Sequence, residues 1–342
     1  MPTLFALMTR GLERVAAEEM AGLTGVRVGS VAYRRVSVEA DVPLERLLEL
    51  RTVDDIYLRV ADWTDVGHTR DMLPVFEERA TGLMLEDAVA VVAGMRAVAE
   101  TPTFSVTASF VGKRNYTADE IKKALSDGIQ AHYGWSYVED DREAALNIRV
   151  FIEKDEALIG VRLGSHPLHE RSYKQVERVG SLRATVAAAM LRLGGVQKAD
   201  RVLDPCCGAG TIVIEAGLIG ARATGGDLKR EAQMAARQNA RAAGVNARLE
   251  HWDARKLPLG SGVFEYVVSN LPWGRQVEVD DALVTFYREV CGEVERVLVE
   301  GGRAVLLTST PQLLYFERLM IDEQIEISLY GQRPVIVMAT IR

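Results

Sequence analysis

Two short stretches carry side chains that could do chemistry. Residues 204–211 read Asp-Pro-Cys-Cys-Gly-Ala-Gly-Thr, and residues 269–274 read Ser-Asn-Leu-Pro-Trp-Gly, straight after the apolar run 264–268. In the first, Gly208 and Gly210 permit backbone torsions and a close approach that a side chain would block. The loop runs into the helical pattern of 212–218, and a helix N-terminus is a ready site for a negatively polarised group. In the second, an amide, a stiff proline and a flat aromatic ring fall at the end of one strand. The Asn270 side-chain oxygen and the Leu271 carbonyl are two acceptors. Aimed at the N–H groups of a conjugated exocyclic amine, they can hold it out of plane, direct its lone pair and stabilise developing charge. Pro272 fixes the backbone so that the carbonyl points one way. Trp273 offers a face for a base, worth about 1–3 kcal/mol by stacking.

Acids at successive strand ends extend the first stretch. Asp227 ends the next apolar run, where an acid grips ribose hydroxyls, and Asp253 follows the third, where it could meet an adenine amino group. Two cofactors compete. A dinucleotide fingerprint wants a third glycine three residues after the second, and that place holds Val213. S-adenosylmethionine has no pyrophosphate and no need of that glycine, and Asp204 with the loop amides can hold its methionine end. The bland alternatives are a tight strand-to-helix turn for the glycine loop and a strand-ending turn with a packed tryptophan for 270–273. Cys206 and Cys207 read as small loop-packing residues.

The elements that must position these residues come in three blocks. From Ser181, apolar strands at 201–206, 223–228, 247–253, 264–270 and 303–309 alternate with helical segments, which predicts a parallel, doubly wound sheet. Two alternating runs around Gly331 predict a closing antiparallel hairpin. Residues 1–62 read βαββαβ, the order of a ferredoxin-like unit, with residues 43–50 as a helix opened by Pro43. Residues 63–164 form a second α+β module. It has a helix over 87–99, a strand over 104–111, a capping box of Thr117 and Glu120, and a hairpin over 146–163 turning near Lys154-Asp155. Residues 165–180 are polar and without period, and read as a linker to a domain of residues 181–342.

Composition narrows the class. The 342 residues are 48% hydrophobic and 26% charged, as in ordinary globular proteins, and the length suggests about two domains. A net charge of −7 means that a polyanion must be met by a local basic patch. Three cysteines without Cys-x-x-Cys spacing fit a reducing cytoplasm and no metal site. No run approaches the ~20 apolar residues of a membrane helix.

The loop and the Asn-Leu-Pro-Trp tetrad together resemble the Rossmann-like amino-methyltransferases that carry an Asn/Asp/Ser-Pro-Pro-aromatic motif, with Leu271 in place of the first proline. Residues 104–129 and 159–174 resemble a THUMP domain, a module of RNA-modifying enzymes. The stretch "PLHERSY" running into "SLRATVAAAMLRL" is similar to the junction in THUMP-bearing RNA guanine-N2 methyltransferases, as is the opening "TRGLERVAAEEM". The resemblance covers nearly the whole chain. It implies a C-terminal Rossmann-like α/β methyltransferase preceded by ferredoxin-like and THUMP modules.

The same resemblance implies S-adenosylmethionine as cofactor, held by Asp204, Cys206, Gly208, Gly210, Thr211, Asp227, Leu228, Asp253 and Ala254, with Asn270, Leu271, Pro272 and Trp273 on the guanine. It implies RNA as partner, most of all tRNA, with N2-methylguanosine made in the acceptor stem; no obligate protein partner is evident in the sequence. Phosphates need cations. Lys113, Arg114, Lys122 and Lys123 cluster in the second module, and Arg162, Arg171, Lys174 and Arg178 line the approach to the linker, with Tyr116 and Tyr173 among them. The alternatives are a relative acting on ribosomal RNA, the same chemistry on DNA adenine or protein glutamine, and a scaffold with a dead methyltransferase fold.

Overall fold

The computed structural model describes residues 2–273 and 283–342, so Gly274 of the second stretch lies outside the described residues. The chain divides into two compact units. One comprises the residues up to Leu7 with Ala17–Leu168, the other Met8–Ala16 with His169–Arg342.

The first unit is built on one sheet. Its elements are β1 (Thr3–Leu7), α1 (Glu13–Ala21, whose first residues group with the second unit), β2 (Val26–Ala32), β3 (Arg35–Ala40), β4 (Asp55–Trp63), α2 (Met72–Thr81), α3 (Glu86–Met95), β5 (Thr103–Phe110), α4 (Ala118–Tyr133), β6 (Ser136–Tyr137), β7 (Leu146–Glu153) and β8 (Glu156–Arg162). The strand order is β2-β3-β1-β4-β8-β7-β5-β6. The two expected N-terminal modules therefore share a single sheet, joined where β4 pairs with β8. Both halves of the expected capping box form at α4: Thr117 Oγ1 accepts from the Glu120 N–H, and Glu120 Oε2 accepts from the Thr117 N–H. The β7–β8 hairpin turns at Lys154, whose φ is 54°. Two expectations are corrected. Residues 44–49 form only a 3-10 turn, and α3 ends at Met95.

The second unit alternates strand and helix: α5 (Ala184–Gly194), β9 (Arg201–Asp204), α6 (Thr211–Leu218), β10 (Arg222–Asp227), α7 (Arg230–Ala242), β11 (Arg248–His251), β12 (Phe264–Asn270), α8 (Leu283–Val297), β13 (Leu298–Thr308), β14 (Leu319–Glu326) and β15 (Val335–Ile341). The order is β11-β10-β9-β12-β13-β15-β14. Strands β9 to β13 pair in parallel, while β15 runs antiparallel between β13 and β14. The apolar strands feed two cores, one on each face. Val202, Val268 and Val305 pack with Ala187, Ile212 and Ala236, whereas Leu203, Val267 and Leu306 pack with Tyr287, Val290 and Val294. Burial on both faces is why these strands read as nearly unbroken hydrophobic runs. Strand order reverses between β9 and β12, so the carboxyl ends of these two neighbours open a crevice. Among the described residues, no helix is long and apolar enough to cross a membrane.

Candidate cofactor and substrate site

The two stretches picked out in the sequence meet in that crevice. They line a cavity of about 520 Å³. Asp204, Cys206, Gly208 and Thr211 come from the β9–α6 loop, Asp227 from the end of β10, and Asn270 to Trp273 from the end of β12.

The loop is held by hydrogen bonds that leave its other faces open. Asp227 Oδ2 accepts from the Gly208 N–H at 3.0 Å, and Oδ1 accepts from the Lys229 N–H at 2.9 Å. Each carboxylate oxygen keeps a lone pair for a hydroxyl. Gly208 and Gly210 adopt φ of 52° and 85°, and Gly210 caps α6. Val213, where a dinucleotide loop wants glycine, packs against strand glycine instead: a Cβ on Gly225 would lie 2.5 Å from Val213 Cγ2. Likewise a Cβ on Gly226 would lie 2.3 Å from the Trp252 ring. That close packing lets Trp252 Nε1 donate to the Pro205 carbonyl at 3.0 Å and hold the start of the loop.

Asp204 is the electrostatic centre. Burial pushes its carboxyl up to about 7, with Asp227 nearby adding to the rise, while hydrogen bonds from Ser269 Oγ and the Cys206 N–H oppose it. A positive charge beside it would favour the carboxylate. Burial also pushes the Cys206 and Cys207 thiols up, which suits packing residues and disfavours thiolate chemistry.

The β12 end presents polar groups without partners among the described residues. Asn270 Nδ2 donates to the Gly180 carbonyl at 3.4 Å, while its Oδ1 is buried with no hydrogen-bond partner among the described residues. Trp273 Nε1 is in the same state. Tyr287 OH donates to the Pro272 carbonyl at 3.1 Å, and the Leu271 N–H donates to the Leu307 carbonyl at 3.0 Å, so the turn is anchored on both sides. A buried acceptor is costly to leave unpaired, and a ligand N–H would satisfy it. Paired acids, an open loop and an orphaned amide oxygen fit a cationic nucleoside cofactor beside an amine-bearing substrate.

Several expected residues fall elsewhere. Gly210, Leu228, Asp253 and Ala254 do not line the cavity. Asp253 instead takes a bidentate hydrogen bond from Arg255, which lowers its pKa; Leu228 is exposed, and Ala254 sits in the α8-side core. Trp273 is only 7% exposed and joins the apolar core, so little of its ring face is offered for stacking.

The basic set divides. Arg162 is corrected: its side chain is 4% exposed and binds Asp55 and Asp141, each at 2.6 Å, so it cannot reach a phosphate. Arg114 is tied to the Val66, Gly67 and Lys154 carbonyls. Arg171 pairs with buried Glu215, Lys174 with Glu177 and the Leu182 carbonyl, and Lys122 with Asp119 and Glu139. Lys113 and Lys123 are exposed, the latter beside Asp127. Tyr116 and Tyr173 are buried, with hydroxyls bound to the Gly67 carbonyl and Glu215.

The expected linker proves to be part of the site. Residues 177–182 form one wall of the cavity. Asn239 on α7 holds this segment: its Oδ1 accepts from the Val176 N–H, and its Nδ2 donates to the carbonyls of Val176 and Ala209. One buried amide thus joins the strap to the glycine loop. The strap has no period because it forms isolated turns and is anchored by bonds to other elements. Asn239, though, stands on an all-alanine helical face with Ala232, Ala235, Ala236 and Ala240, and that misplaced polar residue was a readable signal.

Comparison with known proteins fits this geometry. Residues 171–328 match the domain described as RMKL-like, methyltransferase domain, and residues 85–162 match the THUMP domain. The chain thus joins a THUMP domain to an RMKL-like methyltransferase domain of Rossmann-like fold. Its relatives sharpen the class. The tRNA (guanine(6)-N2)-methyltransferase of Thermus thermophilus is 33% identical over 216 residues, 62% of this chain and 64% of that protein. The human U6 snRNA (guanine-N(2))-methyltransferase THUMPD2 is 30% identical over 203 residues, 58% of this chain and 38% of that protein. The alignments therefore span less than two thirds of either curated relative. The crystal structure of TrmN from Thermus thermophilus superposes over all of both chains, with a TM-score of 0.81 and 27% identity.

Proposed function

We propose that this chain methylates the exocyclic N2 amine of a guanosine in tRNA, with S-adenosylmethionine as donor, acting in the cytoplasm. The observation that carries this reading is Asn270 Oδ1, buried without a hydrogen-bond partner among the described residues, on a residue that lines one cavity with the Asp204–Thr211 loop and Asp227. When bound, the cofactor supplies a methyl group on a cationic sulfur. Asp227 would take the ribose hydroxyls on its free lone pairs, and Asp204 with the loop amides would hold the methionine end. Asn270 Oδ1 and the Leu271 carbonyl accept the two amine hydrogens and turn the nitrogen lone pair out of the ring. That costs conjugation, and the acceptors offset the cost most as positive charge grows on the nitrogen. No strong base is required, because the amine becomes acidic as it is alkylated.

The base must leave its helix to reach the crevice. The THUMP domain (residues 85–162) would hold the acceptor end, with exposed Lys113 and Lys123 as its candidate phosphate contacts. The names of the curated relatives support guanine N2 as the atom modified; that of the human relative keeps a second reading in view, a guanosine in another RNA. A dead scaffold would have no need for Asp204, Gly208, Asp227 and Asn270 around one cavity.

Nucleoside mass spectrometry decides between these. Purified chain, S-adenosylmethionine and unmodified tRNA or ribosomal RNA are incubated, and digested nucleosides are compared. N2-methylguanosine in tRNA is the expected product. Its absence from every RNA, with the cofactor bound, would remove the reading.

A further inference from the structure

Two residues of the cavity lining carry buried polar atoms of opposite character that have no hydrogen-bond partner among the described residues. Asn270 Oδ1 can only accept a hydrogen bond, and Trp273 Nε1 can only donate one. Roughly 90% or more of buried polar groups in native structures are paired, so two orphans on residues that line one cavity mark places where a ligand would complete the pairing. The Trp273 ring itself is largely used by the fold: it is 7% exposed and belongs to the same apolar core as Val268 and Tyr173. Its N–H is the part that the fold leaves over.

We infer that Trp273 donates its indole N–H to a ring-nitrogen acceptor beside the amine to be methylated. The site then reads a donor next to an acceptor along one edge of the base. The inference rests on the proposed guanosine reading. In guanine the N2 amine is flanked by the acceptor N3 on one side and by the donor N1–H on the other. With the amine held by Asn270 and Leu271, N3 is the adjacent acceptor. Trp273 is therefore a specificity-determining residue that touches the base. A phenylalanine there would fill the same apolar space and donate nothing.

The test uses full-length protein and tRNA carrying guanosine, 3-deazaguanosine or 7-deazaguanosine at the methylated position. Affinity for each RNA and kcat/KM are measured for the wild type and Trp273→Phe. The wild type should favour guanosine over the 3-deaza base by about tenfold or more, as for one lost hydrogen bond in a buried site, and treat the 7-deaza base like guanosine. Trp273→Phe should lose about tenfold on guanosine and discriminate against 3-deazaguanosine by less than about twofold. This cycle cancels the altered reactivity of the deaza amine itself. Unchanged discrimination in Trp273→Phe, or equal wild-type losses with both deaza bases, would overturn the inference. The wild-type comparison stands even if the variant fails to fold. A wild type that methylates guanosine but ignores N3 sinks this inference alone, whereas a wild type that methylates no guanosine sinks the parent reading.

Discussion

Ser269 and Asp204 meet across neighbouring parallel strands, with the serine hydroxyl donating to Asp204 Oδ1 at 2.7 Å. This bond ties the last residues of β12 to the first residue of the glycine loop. It also helps to set the charge of a carboxyl that burial pushes up to about 7. A ligand cation stabilises only the ionised form, so cofactor affinity should rise with pH between about 5.5 and 7. The gain should approach tenfold per unit at the acid end and flatten above the apparent pKa. Calorimetry in buffers of different ionisation enthalpy should show about one proton released on binding below pH 7. Affinity independent of pH over that range would mean that Asp204 meets no positive charge.

The same shift has a stability sign. The folded pKa of Asp204 lies above the ordinary 3.8, so the native state binds the proton more tightly than the unfolded chain. Its contribution is present at low pH and is lost as pH rises from about 4 through 7. Asp204→Asn should therefore melt higher than wild type at pH 8 without cofactor, and lose most of its cofactor affinity. Thermal scans at pH 5 and 8, with and without cofactor, separate the two effects.

Asn270→Ala removes the orphaned acceptor while leaving the loop and Asp227 intact. Turnover should fall by ~10²-fold or more, as for one oriented polar group at a reacting centre. Cofactor affinity should stay near wild type. Unchanged turnover would remove Asn270 from the mechanism.

Asp227→Ala strips two N–H groups, on Gly208 and Lys229, of their acceptor. Cofactor binding should weaken by at least about tenfold, because both the ribose contact and the loop geometry are lost. RNA affinity, measured by filter binding, should hardly change. Normal cofactor affinity in this variant would contradict the ribose assignment.

Asn239→Leu keeps the volume of the buried amide and cuts the strap from the glycine loop. Leaving Val176 and Ala209 backbone groups unpaired should cost about 1–3 kcal/mol of stability. Cofactor KM should rise more than kcat falls, since the strap walls the cavity and reaches the acceptor pair through the hydrogen bond of Asn270 Nδ2 to the Gly180 carbonyl, which leaves Oδ1 in place. Equal losses in both would indicate a purely structural amide.

Arg162→Ala and Lys123→Ala test the division of the basic set. Removing Arg162 strands Asp55, whose side chain is 5% exposed, and should destabilise by about 3–5 kcal/mol in urea titrations. Removing exposed Lys123 should change stability by less than about 0.5 kcal/mol. Of the two, only Lys123→Ala should reduce the salt dependence of RNA binding without affecting folding.

Much of this was present in the residues themselves. Short apolar strands alternating with helical segments from Ser181 on gave away a parallel sheet, because parallel neighbours need a crossover connection between them. Thr117 and Glu120 announced the start of α4, because a capping box is local chemistry. Glycines before a helix, acids at strand ends and the Asn270–Trp273 tetrad marked the crevice for the same reason. What pattern could not give were relations between distant positions. Arg162 and an exposed cation look alike in sequence, and only the approach of Asp55, 107 residues away, shows that its charge is spent inside the fold. Residues 169–182 look like a tether because, beside a few local turns, their anchoring hydrogen bonds go to the distant residues Glu215, Asn239 and Asn270. The sequence by itself determined which elements form and which ligand chemistry sits at their ends. Tertiary structure alone decided which polar groups the fold consumes and which it leaves for the substrate, since a side chain's availability depends on whatever long-range packing brings against it.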